Sequence, residues 1–260
     1  MRTHSDCSLR CEGLTVTVPD RTLVDALATE FNGGELLAVL GPNGVGKSLL
    51  LHTLAGLRPA HAGLIEIGDK ALHHLSRQQL ALRLALLPQY TEDFFPATVF
   101  DTVMIGRHPH IARWAWASAR DRDAARSALR QVDLGELENR DVLTLSGGER
   151  RRLAVAQVLT QNPSIYLLDE PTNHLDPQHQ LDVLRLFREK ADAGNAVVAS
   201  LHDVNLACRF ADRCLLLFGD GRWETGRSDR ILTTDRLSEL YSTRVEAVPW
   251  RDRSLFVATG

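Results

Sequence analysis

With 260 residues, 30 Lys plus Arg against 33 Asp plus Glu, and a net charge of −3, the chain has room for one large α/β domain with a modest insertion, but not for two full domains. No cationic excess argues for a polyanion-binding surface, so nucleic acid is not an expected partner. Cys7, Cys11, Cys208 and Cys214 fit neither a disulfide framework nor paired zinc spacings and are expected to be reduced thiols. Residues 1–6 carry no apolar signal core and no run approaches the 18 or more apolar residues of a membrane span, so the chain is expected to be soluble by itself.

Leu14-Thr15-Val16-Thr17-Val18 alternates apolar and polar side chains, as a half-buried strand does, and Pro19-Asp20 turns it toward a second short strand around Leu23. A small antiparallel layer therefore opens the domain. The apolar strand at 36–40 runs directly into Gly41-Pro42-Asn43-Gly44-Val45-Gly46-Lys47-Ser48. Glycines at 41, 44 and 46 allow positive φ and turn backbone N–H groups inward, and the helix opening at Lys47 adds its positive end, which makes this a triphosphate cradle. Lys47 can reach the β- and γ-phosphates, and the Ser48 hydroxyl can bind Mg²⁺.

A helix over 49–57, an alternating strand at 64–67, a short helix over 76–82 capped by Ser76, and an apolar strand at 84–87 ending in Pro88-Gln89 follow. From 90 to 144 helical periodicity dominates, carried by Val99, Val103 and Met104 and then by Ala124, Ala125, Ala128, Leu129 and Val132. The segment 106–116, with Pro109, Trp114 and Trp116, is expected to be a loop or connector between two of those helices, with His108 and His110 a solvated pair and not a metal site. The α/β pattern resumes with a helix from Ser146 to about Gln161, a strand at 165–168, a helix at 178–191, a strand at 196–201, a helix at 204–210 and a strand at 215–218. Val197-Val198 and Leu215-Leu216-Leu217 are apolar on both faces, the mark of parallel strands covered by helices on both sides.

A triphosphate site needs a metal partner and a group that activates water, both expected at the carboxyl end of a strand beside the phosphate loop. Ile165-Tyr166-Leu167-Leu168 ends in Asp169-Glu170. Asp169 is the candidate Mg²⁺ carboxylate, direct or through water, and Glu170 the candidate general base or orienter of the attacking water. Ser146 and Glu149 stand at capping-box spacing, which explains them without explaining Gly147-Gly148. Two glycines at a helix start leave N–H groups open to close approach by a phosphate, a second phosphate-reading element.

Gly41 to Ser48, Gln89, Leu145 to Glu149, Leu167-Leu168-Asp169-Glu170-Pro171, Asn173-His174-Leu175-Asp176 and His202 occur in an order and approximate spacing that resembles the ATP-binding cassette (ABC) ATPases, over about residues 12–225. The resemblance implies a P-loop (RecA-like) core with a mainly parallel sheet and an antiparallel β layer at 12–89 and 146–225, an inserted α-helical subdomain at 90–145, and a short tail at 226–260. It implies ATP and Mg²⁺ as ligands, with Leu49 at the position that commonly carries Thr for the α-phosphate. Gln89 resembles the glutamine that contacts Mg²⁺ or the attacking water and senses a membrane permease, and His202 the histidine on the γ-phosphate. Ser146, Gly147, Gly148 and Glu149 resemble the signature that completes the ATP site of a facing copy, with Asp176 on the loop that crosses to it. Val18 stands near where relatives commonly stack an aromatic ring on adenine, so base stacking is expected to be weaker or supplied elsewhere.

Phe95-Pro96-Ala97-Thr98-Val99, Gly106-Arg107-His108-Pro109-His110 and the tail from Ile231-Leu232-Thr233 to Tyr241 resemble ATPase subunits that import iron-siderophores, haem or vitamin B12. The expectation is an importer ATPase, peripheral at the cytoplasmic face of the membrane, with a multispanning permease, an indirect substrate-binding protein and a second copy as partners. The alternatives are a soluble ABC ATPase acting in assembly or remodelling, and an exporter subunit.

Overall fold

The computed structural model describes residues 8–90, 96–112, 114–251 and 253–259. Cys7 and Phe95 lie outside them. In chain order, β1 (Leu9–Val18) and β2 (Arg21–Phe31) are followed by β3 (Leu36–Leu40), α1 (Lys47–Leu54), β4 (Ala62–Ile67) and β5 (Lys70–Ala71). Then come α2 (Arg77–Ala81), β6 (Leu84–Leu87), α3 (Val99–Met104), α4 (Ala119–Gln131), α5 (Gly147–Gln161), β7 (Ile165–Asp169), α6 (Pro177–Asp192), β8 (Ala196–Ser200), α7 (Val204–Phe210) and β9 (Arg213–Leu217). β10 (Trp223–Arg227), α8 (Ser228–Ile231), α9 (Thr234–Tyr241), β11 (Val245–Trp250) and β12 (Arg253–Ala258) complete the chain.

Two sheets carry the domain. β2-β1-β4-β5 is antiparallel, and β10-β9-β3-β8-β7-β6 is parallel except for β10. All five residues of β3 are buried, and they alternate between two cores. Leu36, Ala38 and Leu40 face the core built with α3 to α7 and α9, whereas Leu37 and Val39 face α1 and the antiparallel sheet. Burial on both faces is why the parallel strands read as unbroken apolar runs.

Several expectations need adjustment. The second strand is not short: β2 runs for 11 residues, and its pairing with β1 is interrupted by register shifts, with Ala26 at a φ of 47°. Such bulges break the period of two on which the sequence pattern depends. The 106–116 segment is not all loop, because Ile105–His110 continues α3 as a 3₁₀ helix. Gly106 is buried there, and Arg107 donates to the Thr160 carbonyl (3.0 Å) and to Asp121 (2.9 Å), which pins the turn onto α5 and α4. His110 bonds the Gln161 carbonyl at 2.8 Å, while Trp114 and Trp116 stand 91% and 96% exposed. The 226–260 tail folds into α8, α9 and a hairpin. Asn205 on α7 holds that hairpin by accepting the Phe256 N–H (2.8 Å) and donating to its carbonyl (3.1 Å).

Candidate active site

Four neighbouring strands release chemistry-bearing residues at their carboxyl ends, where ligands bind in open α/β sheets. β3 delivers the phosphate loop, β8 leads through Leu201 to His202, β7 ends in Asp169-Glu170, and β6 leads through Pro88 to Gln89. The acidic strand is not the immediate neighbour of β3; β8 lies between them. The side chain that spans the gap is Ser200, which the sequence analysis missed. Its hydroxyl donates to Asp169 Oδ1 at 2.7 Å and accepts the Glu170 N–H at 2.8 Å. A single polar residue closing the buried apolar run Ala196-Val197-Val198-Ala199 was the available signal.

The phosphate loop needs its glycines for stated reasons. Gly41 has a φ of 152°, and a Cβ there would come within 2.5 Å of the Leu217 carbonyl; Gly46, at 107°, would crowd Leu23 at 2.9 Å. No side chain caps α1, whose N-cap is Gly46. Its first N–H groups are therefore available to an anion. Lys47 is 5% exposed and donates to the carbonyls of Gly41 (2.7 Å) and Pro42 (3.1 Å). Burial lowers its pKa, against the opposing pull of Glu170 and Asp169.

A cavity of about 480 Å³ is lined by Asn43, Gly44, Gly46, Lys47, Ser48, Leu49, Gln89, Glu170, Asn173 and His202. Glu170 is its centre. One carboxylate oxygen lies 2.5 Å from His202 Nε2, and the other accepts from Gln89 Nε2 at 2.7 Å and from Asn173 Nδ2. Glu170 holds a φ of 49°, a left-handed conformation costly for a residue with a Cβ and commonest where function demands it. Leu49 lines the cavity and packs partly buried against the β-layer core, as Val18 does at the end of β1.

Among the described residues no cluster of three or more His, Cys, Asp and Glu side chains is arranged to hold a metal alone. Mg²⁺ in phosphate sites takes one or two protein oxygens and completes its shell with phosphates and water. The residues fit that mode: Ser48 and Gln89 line the cavity, and Asp169, which is not among its lining residues, lies next to Glu170 with Oδ2 buried and without a hydrogen-bond partner.

Ser146, Gly147, Gly148 and Glu149 are not among the residues lining this cavity. Ser146 caps α5 by accepting from the Glu149 N–H (3.2 Å), and Glu149 accepts the Ser146 N–H (2.7 Å), a bond that holds the Glu149 carboxyl below its usual range. A Cβ on Gly147 would meet nothing within 4 Å, so this chain's own packing does not require glycine there. Asp176 caps α6, accepting from the His179 N–H at 2.9 Å.

Fold and site together define a phosphate-loop ATPase with a cavity at the carboxyl ends of a mainly parallel sheet. The family model described as "ABC transporter" matches residues 24–173. The hemin import ATP-binding protein HmuV of Streptomyces coelicolor is 41% identical over 239 residues, covering 91% of this chain and 84% of that protein. The iron(3+)-hydroxamate import ATP-binding protein FhuC of Bacillus subtilis is 34% identical over 242 residues, covering 93% and 90%. Among solved structures, an inward-facing transporter provisionally classed as metal-chelate type matches at a TM-score of 0.84 and 29% identity, covering 97% of this chain and 98% of the matched one. The chain belongs to the ABC transporter family, and it is an ATP-binding ATPase of that family. Among the described residues no helix is long and apolar enough to cross a membrane.

Proposed function

We propose that this chain powers import of an iron chelate, haem or a ferric hydroxamate by class, as the ATP-hydrolysing subunit of a transporter whose membrane-spanning part is a separate permease. The observation that carries the catalytic half is the Glu170 carboxylate, held between Gln89, Asn173 and His202 over the phosphate cavity. The import half rests on likeness to import ATP-binding proteins over more than nine-tenths of the chain.

In this reading the γ-phosphate enters beside Lys47, whose ammonium exchanges the Gly41 and Pro42 carbonyls for phosphate oxygens. Glu170 accepts a proton from the water that attacks the γ-phosphorus, the bond to the bridging oxygen breaks, and ADP and phosphate leave. His202 and Asn173 hold the Glu170 carboxylate in line, and His202 contacts the γ-phosphate. Ser48, Gln89 and Asp169 would hold Mg²⁺, whose contribution is to neutralise charge on the phosphates. Ser146 to Glu149, which do not line the chain's own cavity, would complete the ATP site of a second copy bound head to tail. The groove beside Gln89 would receive the permease at the cytoplasmic face of the membrane, and a substrate-binding protein would deliver the chelate from the far side.

The test is to express Glu170→Gln in the native host, solubilise membranes with ATP and Mg²⁺, and identify the stoichiometric partner. A polytopic membrane protein whose deletion abolishes iron-chelate uptake is expected. A soluble complex, or a permease that exports, would sink the import proposal and leave the ATPase intact.

A further inference from the structure

Arg151 lies in the first turns of α5, two positions beyond Glu149, and only 4% of it is exposed. Its guanidinium is spent on backbone carbonyls. Nη1 donates to Pro88 (2.6 Å) and Gln89 (3.3 Å), Nη2 to Asp169 (2.6 Å) and Glu170 (2.7 Å), and Nε to Pro171 (3.4 Å). Burial pushes its pKa down to about 10, opposed by the charges of Asp169 and Glu170. A buried guanidinium used only to fill space would need no such convergence. These carbonyls belong to the segments leaving β6 and β7, the two that carry Gln89 and Glu170.

The neighbouring Arg152 shows the contrast. Its Nη1 donates to the Val132 (3.0 Å) and Asp133 (3.4 Å) carbonyls after α4, away from the cavity. Two consecutive arginines on one helix thus serve different tasks. A planar fork with five donors can bridge separate carbonyls in fixed directions, whereas an ammonium places all its donors on one atom.

We infer that Arg151 is a positioning residue for hydrolysis: it locks the backbones of Gln89 and Glu170 to each other and to α5, setting the carboxylate and amide that face the attacking water. Because α5 begins with Ser146 to Glu149, the same guanidinium ties the catalytic backbone of a copy to the helix that copy presents to its partner. The inference rests on the role proposed for Glu170.

The experiment compares full-length wild type, Arg151→Lys, Arg152→Lys and Glu170→Gln for kcat and KM with ATP, alongside thermal unfolding. Arg151→Lys is expected to lower kcat about 10-fold or more while KM stays within about twofold, since misplacing a reacting group by even 1 Å can cost about 10²-fold. Arg152→Lys should leave both near wild type. Should Arg151→Lys fail to melt cooperatively, Arg151→Gln, which leaves no charge to bury, takes its place with the same split expected. Wild-type kcat in a folded Arg151 variant, or a loss shared equally by Arg152→Lys, overturns the inference. If Glu170→Gln is dead while the Arg151 variant turns over normally, only this inference falls; if Glu170→Gln turns over normally, the base assignment falls with it.

Discussion

Glu170 Oε1 and His202 Nε2 lie 2.5 Å apart, joining the carboxyl ends of adjacent strands over the phosphate cavity. The imidazole is partly exposed, so it can also face a bound phosphate, whereas the carboxylate it touches is buried. His202→Ala should therefore retain ATP binding and lose about 10²-fold in turnover, the usual cost of one positioned polar contact on the transition state. Single-turnover hydrolysis with bound nucleotide quantified separately checks it; normal turnover would remove His202 from the chemistry.

Lys47 makes a different prediction. Its Nζ is buried against two loop carbonyls, and Lys47 lines the cavity proposed to take the β- and γ-phosphates. Lys47→Ala should raise the dissociation constant for ATP at least about tenfold, the value of a charge-assisted hydrogen bond lost. Titration calorimetry at fixed Mg²⁺ measures this directly, and an unchanged affinity would contradict the placement of the phosphates.

Away from the cavity, Asp121 provides a pH dependence. Ser118 hydrogen bonds, with Arg107 beside them, hold its pKa down to about 2 from an ordinary 3.8. A carboxyl depressed in the folded state contributes stability in full above its unfolded pKa and loses it as pH falls through the folded one. Asp121→Asn should therefore melt at a lower temperature than wild type at pH 7. The gap should narrow progressively below about pH 5 and close near pH 1, as followed by circular dichroism. A gap independent of pH would mean the variant disturbs packing and not charge.

Gly106 tests how tightly the segment after α3 is seated. A Cβ there would run into the Gln157 carbonyl and stand 3.2 Å from the Gln161 nitrogen, both on α5. Gly106→Ala should cost about 1–3 kcal/mol in urea unfolding, the range for overpacking a fitted contact. Since neither residue touches the cavity, the ATP affinity of the folded variant should match wild type.

What the sequence made legible was whatever is local. The phosphate loop announces itself by glycines at positions that positive φ and close approach require, and Gly41 against the Leu217 carbonyl shows the requirement is steric. The doubly apolar runs at 196–201 and 215–218 announced buried parallel strands, and Ser76 and Ser146 announced helix starts, where both form capping boxes. The illegible part depends on partners distant in the chain. Arg151 is one of three consecutive arginines, and only the carbonyls of segments ending near residues 89 and 170 distinguish it. β10 pairs antiparallel with β9 across a short turn, but Trp223-Glu224-Thr225-Gly226-Arg227 has no period of two to declare a strand. Likewise the tail hairpin depends on Asn205, about fifty positions earlier.

Gln89 and Glu170 are hydrogen-bonded yet stand 81 positions apart, because β6 and β7 pair side by side while α3, α4 and α5 are made between them. Closing so long a loop costs chain entropy before the contact returns anything. During synthesis, a chain that has emerged through β6 already carries the phosphate loop but none of the acidic residues that β7 supplies. β8 and β9, which flank β3, are also still to be made, so the phosphate cradle and the group that consumes nucleotide are completed together, once the intervening helices have folded back.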